Sequence, residues 1–102
     1  MKSGAFIFSL ACSLIVAGTA LAAERPATKA EIEKKAVGHT LGVKKYFANG
    51  RYTYEGGSPG VYKISEGKIC IKFDNGGNRC DRIVTDGKTY TLVNAKGERY
   101  PF

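Results

Sequence analysis

Histidine is almost absent from this sequence, which has one in 102 residues. A hydrolytic triad needs a nucleophile, a base and a group that orients the base. His39 lies at a predicted junction between a helix and a strand, and no pattern couples it to Ser58 or Ser65. We therefore interpret His39 as a surface or capping residue and predict no catalytic triad.

Cysteine is also scarce, and this argues against a metal site. Cys70 and Cys80 are ten positions apart in sequence and do not form a tetrahedral ligand set with the distant histidine. They lack the C-x-x-C spacing of thiol oxidoreductases, so we interpret them as structural. Segment 74–78 is similar to an oxygen-rich calcium loop, but Thr85 stands where the last acidic ligand is needed. We predict neither a metal nor another cofactor.

Long apolar runs are confined to the N-terminus. Lys2 gives a short positive start, and residues 5–16 are almost continuously apolar. Residues 20–22, Ala-Leu-Ala, form the small-x-small pattern that signal peptidase reads. We predict a signal peptide at 1–22, cleaved after Ala22, and hence a periplasmic or secreted protein with no stable membrane span.

Two other interpretations of this segment stay open but are disfavoured. A retained anchor would need a longer apolar run, followed by charge and not by small residues. Acylation at Cys12 would require a lipoprotein signal, but Leu10 is one position away from where that signal has its leucine. The apolar run also continues past Cys12 to Val16, where a lipoprotein would already be mature.

The remaining segment, 23–102, is long enough for one small domain. A domain of about 80 residues buries a modest share of its surface and needs additional stabilisation. Cys70 and Cys80 are an even pair in an exported chain, which predicts a disulfide. Closing a loop of this length stabilises the folded state by about 2–3 kcal/mol.

The N-terminal part of this domain predicts a helix. Thr28 and Glu31 have the spacing of a capping box, and Gly38 is a suitable stop, so we expect a helix over about 29–37. Its apolar face is weak, which indicates that it covers an end or edge of a sheet.

From about residue 40 the pattern changes to short strands separated by glycine-containing turns. Asn-Gly, Glu-Gly and Asp-Gly at successive turns are typical of hairpins, and the connections are too short for parallel crossovers. We predict a mainly β protein, an antiparallel meander of six or seven strands that is either open or closed into a small barrel. The expected strands are 41–47, 51–55, 61–65, 68–73, 79–85, 88–93 and 98–102.

The cysteine spacing also predicts a register. If Cys70 and Cys80 are opposite each other, the turn between them holds an odd number of residues, which indicates a bulge near 75–78. Alternation then places both cysteines on the less apolar face and turns Asp81 inward, unless a bulge turns it out. The core that we predict consists of Leu41, Val43, Phe47, Tyr52, Tyr54, Tyr62, Ile64, Ile69, Ile71, Phe73, Ile83, Tyr90 and Leu92.

Several short motifs follow one another in a recognisable order. They are Gly38-x-Thr40, Tyr46-Phe47-x-x-Gly50, Gly60-x-Tyr62-x-Ile64-x-x-Gly67-x-Ile69-Cys70 and Cys80. This order resembles a group of small exported proteobacterial proteins classed as domains of unknown function. Tyr62 stands where such proteins often have tryptophan. The resemblance implies a periplasmic β-rich domain and implies no activity.

Acidic residues are fewer than basic ones. Without Lys2, 15 Lys and Arg residues face 9 Asp and Glu, a net charge of about +6. Such a charge favours anionic partners. Cations interleave with tyrosines on neighbouring strands, as in surfaces that bind by stacking and charge. The possible binding face that we predict comprises Lys44, Arg51, Lys72, Arg79 and Arg82.

We therefore predict a non-enzymatic binding or interaction module that meets an anionic envelope component or a periplasmic protein. Nucleic acid is a disfavoured partner in that compartment. Two alternatives stay open at this stage. One is a small hydrolase-like enzyme with a carboxylate pair, because separation in space and not spacing in sequence defines such a site. The other is a purely structural envelope protein.

Overall fold

A computed structural model describes residues 23–102, and the predicted signal peptide lies outside the described residues. Within that range the chain forms one helix, α1 (Lys29–Ala36), and nine strands. The strands are β1 (Arg25–Pro26), β2 (His39–Leu41), β3 (Lys44–Tyr46), β4 (Arg51–Tyr54), β5 (Gly60–Ser65), β6 (Lys68–Phe73), β7 (Asn78–Thr85), β8 (Tyr90–Val93) and β9 (Arg99–Pro101).

The strands form one antiparallel sheet, in which strands that follow each other in sequence are mostly neighbours in space. The order is β9-β8-β7-β6-β5-β4-β3-β2, and β1 pairs with β7 outside this path. The sheet curves into a half-barrel whose edges are β2 and β9. The predicted antiparallel meander with one short helix is confirmed, and the sheet does not close into a barrel.

The described chain has more strands than the six or seven predicted, for two local reasons. Segment 41–47 forms β2 and β3 because Gly42, with a φ of +66°, turns the chain back. Glycine at the first position of a two-residue hairpin loop suits such a turn. In addition, the segment between the predicted signal peptide and α1 contains β1, for which no strand was predicted. Pro26 is tolerated there because this two-residue strand pairs on one side only, with β7.

The predicted cysteine register is confirmed. Cys70 and Cys80 lie directly opposite each other in β6 and β7 and form a disulfide. The N–H of Phe73 donates to the carbonyl oxygen of Gly77 at 2.8 Å, which leaves an odd number of residues, 74–76, in the loop. Gly76 takes a φ of +101° there, the conformation that a bulged three-residue hairpin loop requires.

The core lies on the concave side of the half-barrel, where α1 covers part of the sheet. Ile32 and Ala36 of α1 are fully buried and belong to one cluster with Ile64, Ile69 and Ile83. The helix was expected to cover an end or edge of the sheet; it packs against the edge strand β2 and also against the central strands β5 and β6. Among residues 23–102, no helix has the length and apolar character to cross a membrane.

Most of the predicted core residues are buried or partly buried, but three are exposed. Val43 is 49% exposed because it lies in the turn after Gly42. That turn also reverses which positions face inward, so Tyr46 is buried and Phe47, at 38%, is not. Tyr54 is 43% exposed because it lines the open part of the concave side. Further buried hydrophobic residues that were not predicted are Ala27, Ile32, Ala36, Tyr46, Val84, Val93 and Phe102.

The predicted capping box at the start of α1 is present, and an arginine reinforces it. The Thr28 side chain accepts from the N–H of Glu31, whose carboxylate accepts from the N–H of Thr28 at 2.9 Å. Both terminal nitrogens of Arg25 donate to the same carboxylate at 2.8 Å. These hydrogen bonds, those from Arg25 first and then that from Thr28, lower the pKa of Glu31 to about 2.

This lowered pKa makes stability depend on pH. The folded pKa of Glu31 lies below that of the unfolded chain, about 4.3. The stabilisation is therefore complete above that value and is lost as the pH falls towards 2. We expect Glu31→Gln to reduce the loss of stability between pH 6 and pH 2.5, measured as the urea midpoint at each pH. Glu33→Gln, on the same helix outside the capping box, should behave as the wild type. Equal losses in both variants would contradict this role.

Candidate functional site

The register of the sheet separates the five cations predicted as one binding face. Residues directly opposite each other on paired strands share a face, as do residues two apart along a strand. By this rule Arg51, Lys72 and Arg82 lie on the convex face, whereas Lys44 and Arg79 lie on the concave face. Arg79 and Arg82 are an odd number of positions apart on one strand, so they point to opposite sides. The molecule thus has two candidate surfaces, not one.

Arg51 is already paired on the convex face. Its terminal nitrogens donate to the two carboxylate oxygens of Asp74 at 3.2 and 2.7 Å. These hydrogen bonds raise the pKa of Arg51 and lower that of Asp74. The pair joins β4 to the loop between β6 and β7, and it leaves Arg51 with no surplus charge for a ligand.

Four exposed cations surround the disulfide on the convex face, and we call them the convex basic patch: Lys63, Lys68, Lys72 and Arg82. Lys63 lies opposite Cys70, and Lys68 lies opposite Arg82. None of the four takes part in the salt bridges that residues 23–102 form. Because like charges directly opposite each other in a sheet repel, a bound anion would relieve this arrangement.

The predicted binding face did not include two members of this patch, Lys63 and Lys68, although Lys63 is among the cations that interleave with tyrosines in the sequence. The alternation that places Lys72 beside the cysteines applies equally to Lys68, two residues before Cys70, so that signal was present. The face on which Lys63 lies depends on the register in which β5 pairs with β6 after the turn at Ser65. A shift of that pairing by one residue would have moved Lys63 to the other face.

An ion pair lies on the concave face. The Nε and one terminal nitrogen of Arg79 each donate to a carboxylate oxygen of Asp81 at 2.9 Å. The Asp81 side chain is only 5% exposed, whereas that of Arg79 is 46% exposed. The inward direction predicted for Asp81 is therefore confirmed, and Arg79 compensates the buried charge. These hydrogen bonds raise the pKa of Arg79.

Lys44 shares this face with Arg79 and is half-buried. Burial lowers the pKa of Lys44, and the positive charge of Arg79 lowers it further, while Asp81 acts in the opposite direction. Since Asp81 is engaged by Arg79, Lys44 is the one lysine or arginine that the described strands place on this face without an ion-pair partner.

Aromatic side chains line the same face. Tyr52, Gly60 and Phe73 lie in register on three neighbouring strands. The rings of Tyr52 and Phe73 meet across the glycine, with centroids 6.2 Å apart. A Cβ at Gly60 would lie 2.4 Å from the carbonyl oxygen of Lys72. The absent side chain therefore permits both the close strand pairing and the aromatic contact.

Beyond the part of the concave face that α1 covers, the sheet encloses an open cavity of about 800 Å³, which we call the concave trough. Pockets for small molecules commonly have volumes of roughly 300–1,000 Å³. The walls of the trough include Lys44, Tyr52, Tyr54, Phe73, Arg79 and Tyr100.

The chain matches no family model, no curated protein and no solved structure. The resemblance to small exported proteobacterial proteins therefore stays a prediction.

His39 is exposed in β2. Within residues 23–102, no group of three or more His, Cys, Asp or Glu side chains could hold a metal ion. The convex basic patch and the concave trough are the two candidate functional surfaces of residues 23–102.

Proposed function

We propose that the protein is an exported, non-enzymatic binding module whose convex basic patch attaches it to a phosphate-bearing polyanion of the cell envelope. The observation that carries this proposal is the group of four exposed cations on three adjacent strands, none of which is in a salt bridge of the described chain. The disulfide within the patch is compatible with an oxidising compartment, which supports the export that the N-terminal sequence predicts.

The spacing of the patch suits an extended ligand. Neighbouring strands lie about 4.8 Å apart, and residues two apart on a strand are separated by about 7 Å. The four cations therefore form an array roughly 5–14 Å across. A single small anion would meet one or two of them, whereas a polyanion would meet all four. The net positive charge of the whole molecule would also attract such a ligand from a distance.

The proposal predicts salt-dependent binding that requires the patch. Binding of inorganic polyphosphate to the purified protein should weaken steeply as salt rises, because each contact releases a counterion. Lys68→Glu combined with Arg82→Glu should lower the affinity at least about tenfold and flatten the salt dependence. Titration calorimetry at several salt concentrations measures both quantities.

A variant with the same total charge separates the patch from non-specific attraction. Lys34→Glu combined with Lys88→Glu changes two exposed lysines on α1 and on the loop between β7 and β8. This control should retain most of the affinity. If the two double variants lose equal affinity, net charge alone drives binding and the convex patch is not a site. If the wild type does not bind polyphosphate at low salt, the proposal fails outright.

A further inference from the structure

We propose that the concave trough is a second binding site, which takes a small amphiphile carrying a single negative charge on an apolar body. This site is on the opposite face of the sheet from the convex basic patch and does not depend on the polyanion proposal.

Large hydrophobic side chains are exposed to solvent at the rim of the trough. Val43, Tyr54 and Tyr100 are 49%, 43% and 48% exposed, and all three line the trough. They are three of the five large hydrophobic side chains that are exposed in the described chain. Exposed apolar side chains gathered around one concavity, and not scattered singly, are typical of a ligand site.

The floor of the trough continues this apolar surface inwards. Tyr52 is buried and packs edge-on against Phe73. Tyr46 lies on the far side of Tyr52, with ring centroids 5.3 Å apart. Of these three rings, Tyr52 and Phe73 line the trough, whereas Tyr46 is fully buried behind them. A flat or extended apolar body would displace water from the lining rings and from the rim together.

The charge of the trough selects the head group. Arg79 and Lys44 both line it, and Asp81 neutralises only Arg79, through two hydrogen bonds. Among the side chains that line the trough, the half-buried ammonium group of Lys44 is the one cation without an ion-pair partner in the described residues. A carboxylate carries one negative charge at neutral pH, whereas a phosphate monoester carries nearly two. The single surplus cation therefore matches a carboxylate, and a cationic amphiphile would be repelled.

Three probes with the same alkyl chain test this inference: decanoate, decanol and decyltrimethylammonium. We expect titration calorimetry, below the concentrations at which these amphiphiles aggregate, to show one decanoate per chain. Decanol should bind at least about tenfold more weakly, and the cation more weakly still. Tyr54→Ser combined with Tyr100→Ser should weaken the binding of decanoate and decanol alike, because both ligands use the apolar rim.

Lys44→Met identifies the head-group contact. It should weaken decanoate about tenfold and leave decanol unchanged. Lys44→Gln, which keeps a polar side chain, should do the same, so the result does not depend on one variant folding well. Lys34→Met, at an exposed lysine of α1 outside both candidate sites, is the matched control and should leave decanoate binding unaltered.

Four results would overturn the inference. They are equal affinity for decanoate and decyltrimethylammonium, no change in decanoate binding in either Lys44 variant, several decanoate molecules per chain, and no binding. Polyphosphate binding by Lys44→Met, measured in parallel, keeps the two sites distinguishable. Loss of decanoate binding with polyphosphate binding intact is the pattern that two independent sites require.

Discussion

Replacing Cys70 and Cys80 together by serine is expected to lower the free energy of unfolding by about 2–3 kcal/mol. The disulfide closes a short loop between directly opposed residues of β6 and β7, and the unfolded chain loses that constraint in the variant. For a domain of this size the loss corresponds to a fall in the melting temperature of roughly 10–20 °C. Thermal unfolding followed by circular dichroism measures it.

The wild type itself provides the control. Under reducing conditions it should unfold at nearly the same temperature as the double serine variant, because both then lack the same covalent bond. Under oxidising conditions only the wild type should gain stability. A wild type that unfolds at one temperature with and without reductant would show that the disulfide contributes little, or that it does not form.

Replacing Arg79 by methionine is expected to lower the free energy of unfolding by about 3 kcal/mol, the lower end of the range for breaking a buried ion pair. Asp81 is almost fully buried, and the variant removes both side-chain hydrogen bonds that compensate its charge. The loss is at the lower end because Arg79 is half-exposed and because Lys44 still attracts Asp81. Urea unfolding at neutral pH measures the change.

Two further variants distinguish a buried unpaired charge from a general loss of arginine. Arg51→Met breaks the pair with Asp74, whose side chains are 41% and 50% exposed, and should cost less than about 1 kcal/mol. Adding Asp81→Asn to Arg79→Met should restore part of the lost stability, since the remaining group is then neutral. Equal losses in the two single arginine variants would contradict the role given to Asp81.

The parts of the fold that were predictable are encoded locally. Thr28 and Glu31 define the start of α1 by their own hydrogen bonds. The positions of Cys70 and Cys80, together with the glycine-containing turn between them, fix the register of β6 against β7. In each case the residues that carry the signal are also those that make the contact, so sequence spacing is sufficient.

The predictions were wrong where one local feature changed which face of the sheet, or how much solvent, a whole set of residues meets. The turn at Gly42 divides a stretch that reads as one strand, and every position after it exchanges faces. This is why Phe47 was predicted in the core and Tyr46 was not. Tyr54 does point to the concave side, but the curvature of the sheet leaves it in the open trough. Curvature is a property of all the strands together, and no short motif reports it.

The candidate site was predictable only in part for the same reason. The excess of positive charge was evident from composition, and Lys72 and Arg82 do lie on one face. The trough was not predictable, because it depends on where α1 stops covering the sheet. Asp81 was the best available pointer, since an acidic residue directed into an apolar face requires a partner there. That partner is Arg79, which was predicted as part of an exposed binding face.

The open half-barrel has two free edges, and the length and composition of these edge strands determine how readily the protein aggregates at high concentration. An unpaired edge can accept a strand from another molecule and so begin a fibre. Here β2 and β9 are each only three residues long, and β9 includes Pro101, which has no N–H to donate. The edges thus offer few backbone groups to an incoming strand. A half-barrel built this way can stay open without growing from molecule to molecule into aggregates.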